Sequence, residues 1–262
     1  LSGVSLGRVT YETFPLTAEN DFLPDLDAIP EETARRAKFI YINYPNNPTG
    51  AVATKAFYEK LVAWAKTYEV GVVSDLAYGA LGYQGYENPS FLSTPGAKDV
   101  GIEFYTFSKT FNMAGWRLAF AAGNDQMIEA LNLIQDHLFV GIFPALQEAG
   151  IAALLDPKSE EAVAQLNATY DSRRDAFVQA AAKIGWQAFP SRGSFYAWMP
   201  VPEGYTSESF ADLLLEKAHV AVAPGKGFGP AGDAYVRIGL LVEPERLVEA
   251  VNRIANLQLF NN

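Results

Sequence analysis

The chain has 262 residues, 49% of them hydrophobic and 19% charged, enough to bury a sizeable core in one large domain or two ordinary ones. Lys and Arg total 20 against 30 Asp and Glu, a net charge of −10, which disfavours nucleic acid or an anionic membrane as the main partner. There is no cysteine, and two histidines, His137 and His219, are too few for a histidine metal cluster.

The opening Leu1-Ser2-Gly3-Val4 lacks Met and reads as mid-domain sequence, so the biological N-terminus is expected upstream. No apolar run of membrane-spanning length appears, and no signal-like segment opens the chain. Arg8 to Tyr11 reads as a strand and Thr17 to Leu26 as a polar loop. Pro30-Glu31-Glu32 starts a short helix, with proline and acids placed where a helix N-terminus favours them. Phe39 to Asn43 reads as a buried strand, followed by the turn-rich Tyr44 to Gly50. Thr54 to Glu69 carries apolar residues at helical spacing. Val70 to Ser74 is a further strand, and Gly79, Gly82 and Gly85 mark a flexible, aromatic-rich loop. Val100 to Phe107 and Leu118 to Ala122 complete a β-α-β pattern, the mark of an α/β protein.

From Asn124 to about Ala182 the pattern is helical, broken near Gly141 to Pro144 and at Asp156-Pro157. The last of these helices, Ser159 to Lys183, is long enough to bridge two lobes. Beyond it come short strands (Trp186 to Phe189, Ser194 to Met199, Val220 to Ala223, Tyr235 to Leu240) and helices at Ser207 to Ala218 and Glu243 to Leu257. That texture is α+β, and it places a domain boundary near 157, with 1–157 as a large domain and 158–262 as a small one.

Candidate chemistry gathers at the ends of the first-half strands, where open α/β sheets bind ligands. Lys109 follows a strand among the hydroxyls of Thr106, Ser108 and Thr110, with Arg117 eight residues on. An amine so placed suits an imine with a carbonyl cofactor beside an anchored phosphate; a solvated loop lysine is the plain alternative. Asp75 ends a strand and either caps a turn or pairs with a protonated ring nitrogen. Tyr78 is either a half-buried aromatic or a donor to the same ring. Asn47 offers an amide next to Pro48 or simply builds a turn. Arg237 lies within an apolar strand and needs an anion, either a substrate carboxylate or a structural one. His137 and His219 read as helix-surface or packing residues.

In order and spacing, Asn47-Pro48-Thr49-Gly50, Asp75-Leu76-Ala77-Tyr78, Ser108-Lys109 with Arg117, and Arg237-Ile238 resemble the class I/II aminotransferases, which use pyridoxal 5′-phosphate (PLP). The resemblance covers essentially the whole chain. It implies an α/β protein of PLP-dependent transferase fold type I, with a partial three-layer α/β/α large domain and a small α+β C-terminal domain. It also implies a preceding segment, about a third of a typical member, that supplies more phosphate ligands and a ring-stacking aromatic.

Carried over, Lys109 resembles the Schiff-base lysine and general acid/base, and Asp75 the partner of the pyridine nitrogen. Asn47 and Tyr78 match positions that bond the ring's 3-oxygen. Thr106, Ser108 and Arg117 match phosphate ligands, and Arg237 the arginine that takes the substrate carboxylate. The Asn47–Pro48 bond is expected to be cis. Pro224 to Gly229 resembles a loop that closes near substrate, its glycines serving a turn. The implied activity is amino transfer between an amino acid and a 2-oxo acid by a cytoplasmic homodimer. Local wording from Gly101 to Arg117 and at Gln135-Asp136-His137 is similar to methionine-salvage aminotransferases and to diaminopimelate and alanine types; Tyr44 and Tyr78 are candidates to line the pocket. Two other readings stay open. One is a PLP-dependent carbon–sulfur lyase, the other an aminotransferase-like effector domain of a regulator.

Overall fold

Two sheets, each with its own buried cluster, organise the computed structural model, which describes residues 2–260. The expectation about the start at Leu1 lies outside the described residues. In chain order the first half holds α1 (Ser2–Leu6), α2 (Glu31–Arg36), β1 (Phe39–Asn43), α3 (Lys55–Tyr68), β2 (Gly71–Asp75), α4 (Ala97–Val100), β3 (Gly101–Thr106), α5 (Phe107–Thr110) and β4 (Ala119–Gly123). Strands β1, β2 and β3 run parallel in that order, and β4 closes the row antiparallel to β3. Parallel pairing brings the carboxyl ends of β1, β2 and β3 to one edge of the sheet.

Helix α3 shows why this half folds as it does. The Thr54 hydroxyl caps its start by accepting the Phe57 N–H at 3.1 Å, and Glu69 ends it in a left-handed conformation. Between these stops Phe57, Leu61, Val62 and Ala65 form a buried stripe that packs with Ile40, Ile42 and Val72 of the sheet. Strand β1 is buried on that face alone: Phe39 and Tyr41 are 60% and 62% exposed, so the expectation of a fully buried strand is corrected to an alternating one.

The second half holds α6 (Asp125–Leu138), α7 (Pro144–Leu155), α8 (Ser159–Lys183), β5 (Tyr196–Pro200), α9 (Ser207–Leu213, continued by a π-helical turn over Leu214–Ala218), β6 (Ala223–Pro224), β7 (Tyr235–Gly239) and α10 (Pro244–Ala255). Strands β5, β7 and β6 form an antiparallel sheet in that order. The carboxyl-terminal half of α8 delivers Phe177, Ala180 and Ala181 to the second cluster, where Leu247, Val251 and Ile254 of α10 meet them. A third cluster, Tyr78, Leu81, Tyr83, Tyr170 and Phe195, stitches the halves together.

Several expected elements differ. Arg8 to Tyr11 pairs with no strand and is exposed, because a β-prone stretch needs an edge to join. Trp186 to Phe189 is irregular; Trp186 is buried and donates its indole N–H to the Pro200 carbonyl at 2.7 Å, while Pro190 interrupts any ladder. Val220 to Ala223 shrinks to the two-residue β6. The loop expected to be flexible is pinned: Tyr78 and Tyr83 are buried, and Gly82 bridges Gly193. Gly50 shows how closely the halves meet. Its φ is +71°, and a Cβ there would lie 2.1 Å from the Ser191 hydroxyl, so only glycine fits.

Candidate active site

Asn43, Asp75 and Thr106 end the three parallel strands, with Asn43 directly opposite Asp75 in register. The turn after β1 is built from its own side chains. Asn46 Oδ1 accepts the Thr49 N–H at 3.1 Å and the Thr49 hydroxyl at 2.8 Å, and that hydroxyl oxygen accepts the Ala51 N–H at 3.1 Å. Both Tyr44–Pro45 and Asn47–Pro48 are cis. The turn leaves Asn47 facing across to the second half, where its Oδ1 accepts a 2.8 Å hydrogen bond from Arg237 Nη1. The first and last sequence motifs therefore meet directly.

Asp75 Oδ1 accepts the Ala77 N–H at 3.1 Å and Oδ2 accepts the Tyr41 hydroxyl at 3.2 Å. No ion pair of this carboxylate occurs among the described residues. Burial pushes its carboxyl above the usual range, partly offset by those two bonds. The Tyr41 hydroxyl is pushed up to about 12, first by local desolvation, although the side chain as a whole is largely exposed, and then by the Asp75 carboxylate it bonds. Tyr78 is also raised, first by burial and then by the neighbouring Tyr196 hydroxyl; Arg237 opposes the shift and Asp75 adds to it. One phenol thus feels both the carboxylate of its own motif and the arginine of a distant one.

Lys109 sits in α5 immediately after β3. Its Nζ lies 5.8 Å from the centre of the Tyr78 ring and 5.4 Å from that of Phe195, two rings that meet edge to face at 5.3 Å. Arg237 is likewise framed by aromatics, its Cζ 4.2 Å from the Tyr196 ring centre and 4.7 Å from that of Phe228. Phe228 comes from the Pro224 to Gly229 loop. A Cβ on Gly225 would lie 2.1 Å from the Gly232 carbonyl oxygen, so this glycine serves a tight turn.

The hydroxyls form a separate knot. Thr106 Oγ1 accepts the Ser108 N–H at 3.2 Å, and the two hydroxyls bond each other at 3.0 Å. Arg117 stands apart from them: it is exposed, in a left-handed conformation, and its Nη1 donates to the Ala114 carbonyl of its own turn at 2.8 Å. Tyr44 is removed from the pocket candidates, because it is buried in the first core with its hydroxyl on the Phe22 carbonyl at 2.7 Å. His137 lies on the exposed face of α6, bonded to the Leu133 carbonyl, and His219 ends the π-helical turn in a left-handed conformation.

Sequence reasoning missed Asn43, Tyr41, Phe195, Tyr196 and Phe228. The first four lie in segments read as strands for their hydrophobic pattern alone, and Phe228 lies in the Pro224 to Gly229 loop, read only for its glycines. One signal was present: two aromatics, Phe195-Tyr196, leading into a strand beside a glycine and a serine.

The donor set fits a phosphorylated pyridine aldehyde. It offers an amine for the carbonyl, a half-buried carboxylate with no cation of its own for a ring N–H, and amide and phenol groups for a ring oxygen. Among the described residues no group of three or more His, Cys, Asp or Glu is placed to hold a metal, and no helix is long and apolar enough to cross a membrane.

A family model described as aminotransferase class I and II matches residues 2–254. The L-glutamine–4-(methylsulfanyl)-2-oxobutanoate aminotransferase of Bacillus subtilis strain 168 is 56% identical over 259 residues, 99% of this chain and 65% of that protein. An LL-diaminopimelate aminotransferase of Moorella thermoacetica is 50% identical over 240 residues, 92% of this chain and 61% of that protein. The chain thus spans somewhat less than two thirds of the length of these curated relatives. Among solved structures, substrate-bound BacF from Bacillus subtilis superposes with a TM-score of 0.93 at 45% identity, covering 99% of this chain and 66% of that one. A probable N-succinyldiaminopimelate aminotransferase from Thermus thermophilus gives 0.91 at 35% identity over 97% of this chain and 67% of that one. The motifs, the site they build and these likenesses converge: the chain belongs to the class I and II aminotransferases, PLP-dependent enzymes of fold type I.

Proposed function

We propose that this chain carries the lysine-bearing part of an aminotransferase site that moves an amino group between an amino acid and a 2-oxo acid. The observation that carries the reading is the meeting of motifs around Tyr78, within reach of the Lys109 amine, the Asp75 carboxylate and the Arg237 guanidinium.

Bound PLP supplies a carbonyl that condenses with amines and a ring that withdraws electrons from the bonds at Cα of an amino acid. Lys109 would hold that carbonyl, and its amine is the group that would move the Cα proton as general base and acid. Asp75 would face the ring nitrogen and favour its protonated form, the positive ring offsetting the carboxylate's charge. Asn47 and Tyr78 would hold the ring oxygen, and Thr106, Ser108 and Arg117 the phosphate. Arg237 takes the substrate carboxylate in a bidentate fork, pre-aimed by Asn47 and two aromatic rings.

In this reading residues 1–157 are the cofactor domain and 158–262 the small domain, supported by two buried clusters, one drawn from each apart from Trp198, which joins the first. The enzyme works in the cytoplasm as a homodimer. The exposed apolar run Leu138, Phe139, Val140 and Phe143 offers a second copy a surface to cover. Relatives named for 4-(methylsulfanyl)-2-oxobutanoate and diaminopimelate make those the first substrates to test.

The test is a panel of amino donors and 2-oxo acids with the intact protein and its Lys109→Ala variant. The parent should transfer the amino group and show the visible absorbance of lysine-bound cofactor, and the variant should lose both. A variant that turns over at the parent rate would sink the assignment. Release of ammonia and a 2-oxo acid without an acceptor would establish a lyase instead.

A further inference from the structure

We infer that Asn43 is a positioning residue that couples the cofactor end of the site to the substrate end, an inference that rests on the proposed aminotransferase reading. Asn43 is the last residue of β1 and stands opposite Asp75 in the parallel register. Its carboxamide works in both directions. Nδ2 donates to the Asp75 main-chain carbonyl at 3.0 Å, and Oδ1 accepts the Asn47 N–H at 2.9 Å. Its own carbonyl accepts Asn46 Nδ2 at 3.2 Å, which fastens the turn to the same point. Among the described residues, Asn43 is the side chain bonded to both Asn47 and Asp75.

The consequence is a chain of contacts in which Arg237 bonds the Asn47 side chain, the Asn47 main-chain N–H bonds Asn43, and Asn43 bonds the Asp75 main-chain carbonyl. At one end lies the guanidinium assigned to the substrate carboxylate, at the other the main chain of Asp75, the residue whose carboxylate is assigned to the ring nitrogen. β1 ends at Asn43, and beyond it the chain leaves the sheet for the turn. The carboxamide crosses to Asp75 where the strand pairing stops. The task needs one donor and one acceptor on a short planar group. Aspartate has no donor, leucine has neither, and glutamine is a methylene too long.

The two halves of the carboxamide can be separated experimentally in the intact holoenzyme. Asn43→Leu, similar in size, breaks both bonds. It should weaken PLP binding, measured by equilibrium dialysis of the apoenzyme, and raise KM for the amino acid, each roughly tenfold, the size expected when a partly buried bond is left unmade. Asn43→Asp keeps the acceptor for Asn47 and loses the donor to Asp75. It should weaken PLP binding about as much while leaving KM within about threefold of the parent. Parent-like values for both variants would overturn the inference. So would equal KM losses in the two, which is what general damage to the turn produces and which a fall in the unfolding midpoint would accompany. A parent that binds PLP but transfers no amino group would defeat the functional reading and leave the dialysis result to judge Asn43 separately.

Discussion

Replacing Arg237 offers a sharp quantitative check on the site. Its guanidinium is held by Asn47 at 2.8 Å and lies over two rings at 4.2 and 4.7 Å, so it is oriented before any substrate arrives. A substrate carboxylate then takes two charge-assisted hydrogen bonds without the arginine having to reorganise. Bonds to charged groups contribute about 1.5–3 kcal/mol each. Allowing for water that fills the gap, Arg237→Ala should cost about 3–4 kcal/mol, or about 10²–10³ in kcat/KM at 1.4 kcal/mol per decade. Arg237→Lys keeps the charge but loses the fork and the ring stacking, and should cost about 1.5–3 kcal/mol, roughly 10- to 100-fold. The assay is steady-state transamination with an amino acid and with the corresponding amine lacking the α-carboxylate. Only the amino acid should suffer. Equal losses for both substrates, or an unchanged kcat/KM for the amino acid, would refute the role.

Other expectations concern groups beside the site. Glu103 is buried on β3 and accepts the Ser74 hydroxyl at 3.0 Å, the Phe91 N–H at 2.8 Å and the Ser90 hydroxyl, which ties β2 to the loop beyond Tyr78. Glu103→Leu strands two fully buried donors and should cost about 2–5 kcal/mol in urea unfolding; a loss under about 0.5 kcal/mol would show that the carboxylate carries no such load. Asp75 gives a pH signature in the cofactor-free protein. Its folded pKa is raised above the ordinary 3.8, so the folded state binds the proton more tightly than the unfolded state. Stability therefore rises as pH falls through the window between the raised folded value and 3.8, and this contribution is absent at neutral pH. Asp75→Asn removes that slope, so parent minus variant stability should grow on acidification; a pH-independent difference would contradict the buried-carboxylate account.

Local chemistry settled much of this protein. Thr54 and Glu69 bracket α3, the Pro30 to Glu32 segment opens α2, and Asp156-Pro157 separates α7 from α8, because caps and breakers act within a few residues of chain. The motifs at Asn47, Asp75 and Lys109 were legible for a related reason, each pairing a reactive group with the strand end or turn that exposes it. Arg237 stood out as a charge inside an apolar strand. Strands were less secure where pairing decided them. Arg8 to Tyr11 and Trp186 to Phe189 have strand-like composition but no ladder, and β1 looks buried in sequence although one of its faces is open.

What tertiary structure alone decided is the wiring between distant segments. Nothing local in Asn43 distinguishes it from any asparagine before a turn, yet the parallel register sets its amide against Asp75. Phe195 and Tyr196 read as strand residues until the third cluster brings them against Tyr78 and Lys109. Arg237 finds Asn47 across 190 residues because β7 and the β1 turn are packed against the same seam. Such contacts depend on how faces pack and registers align, and those relations exist only once the chain has closed on itself.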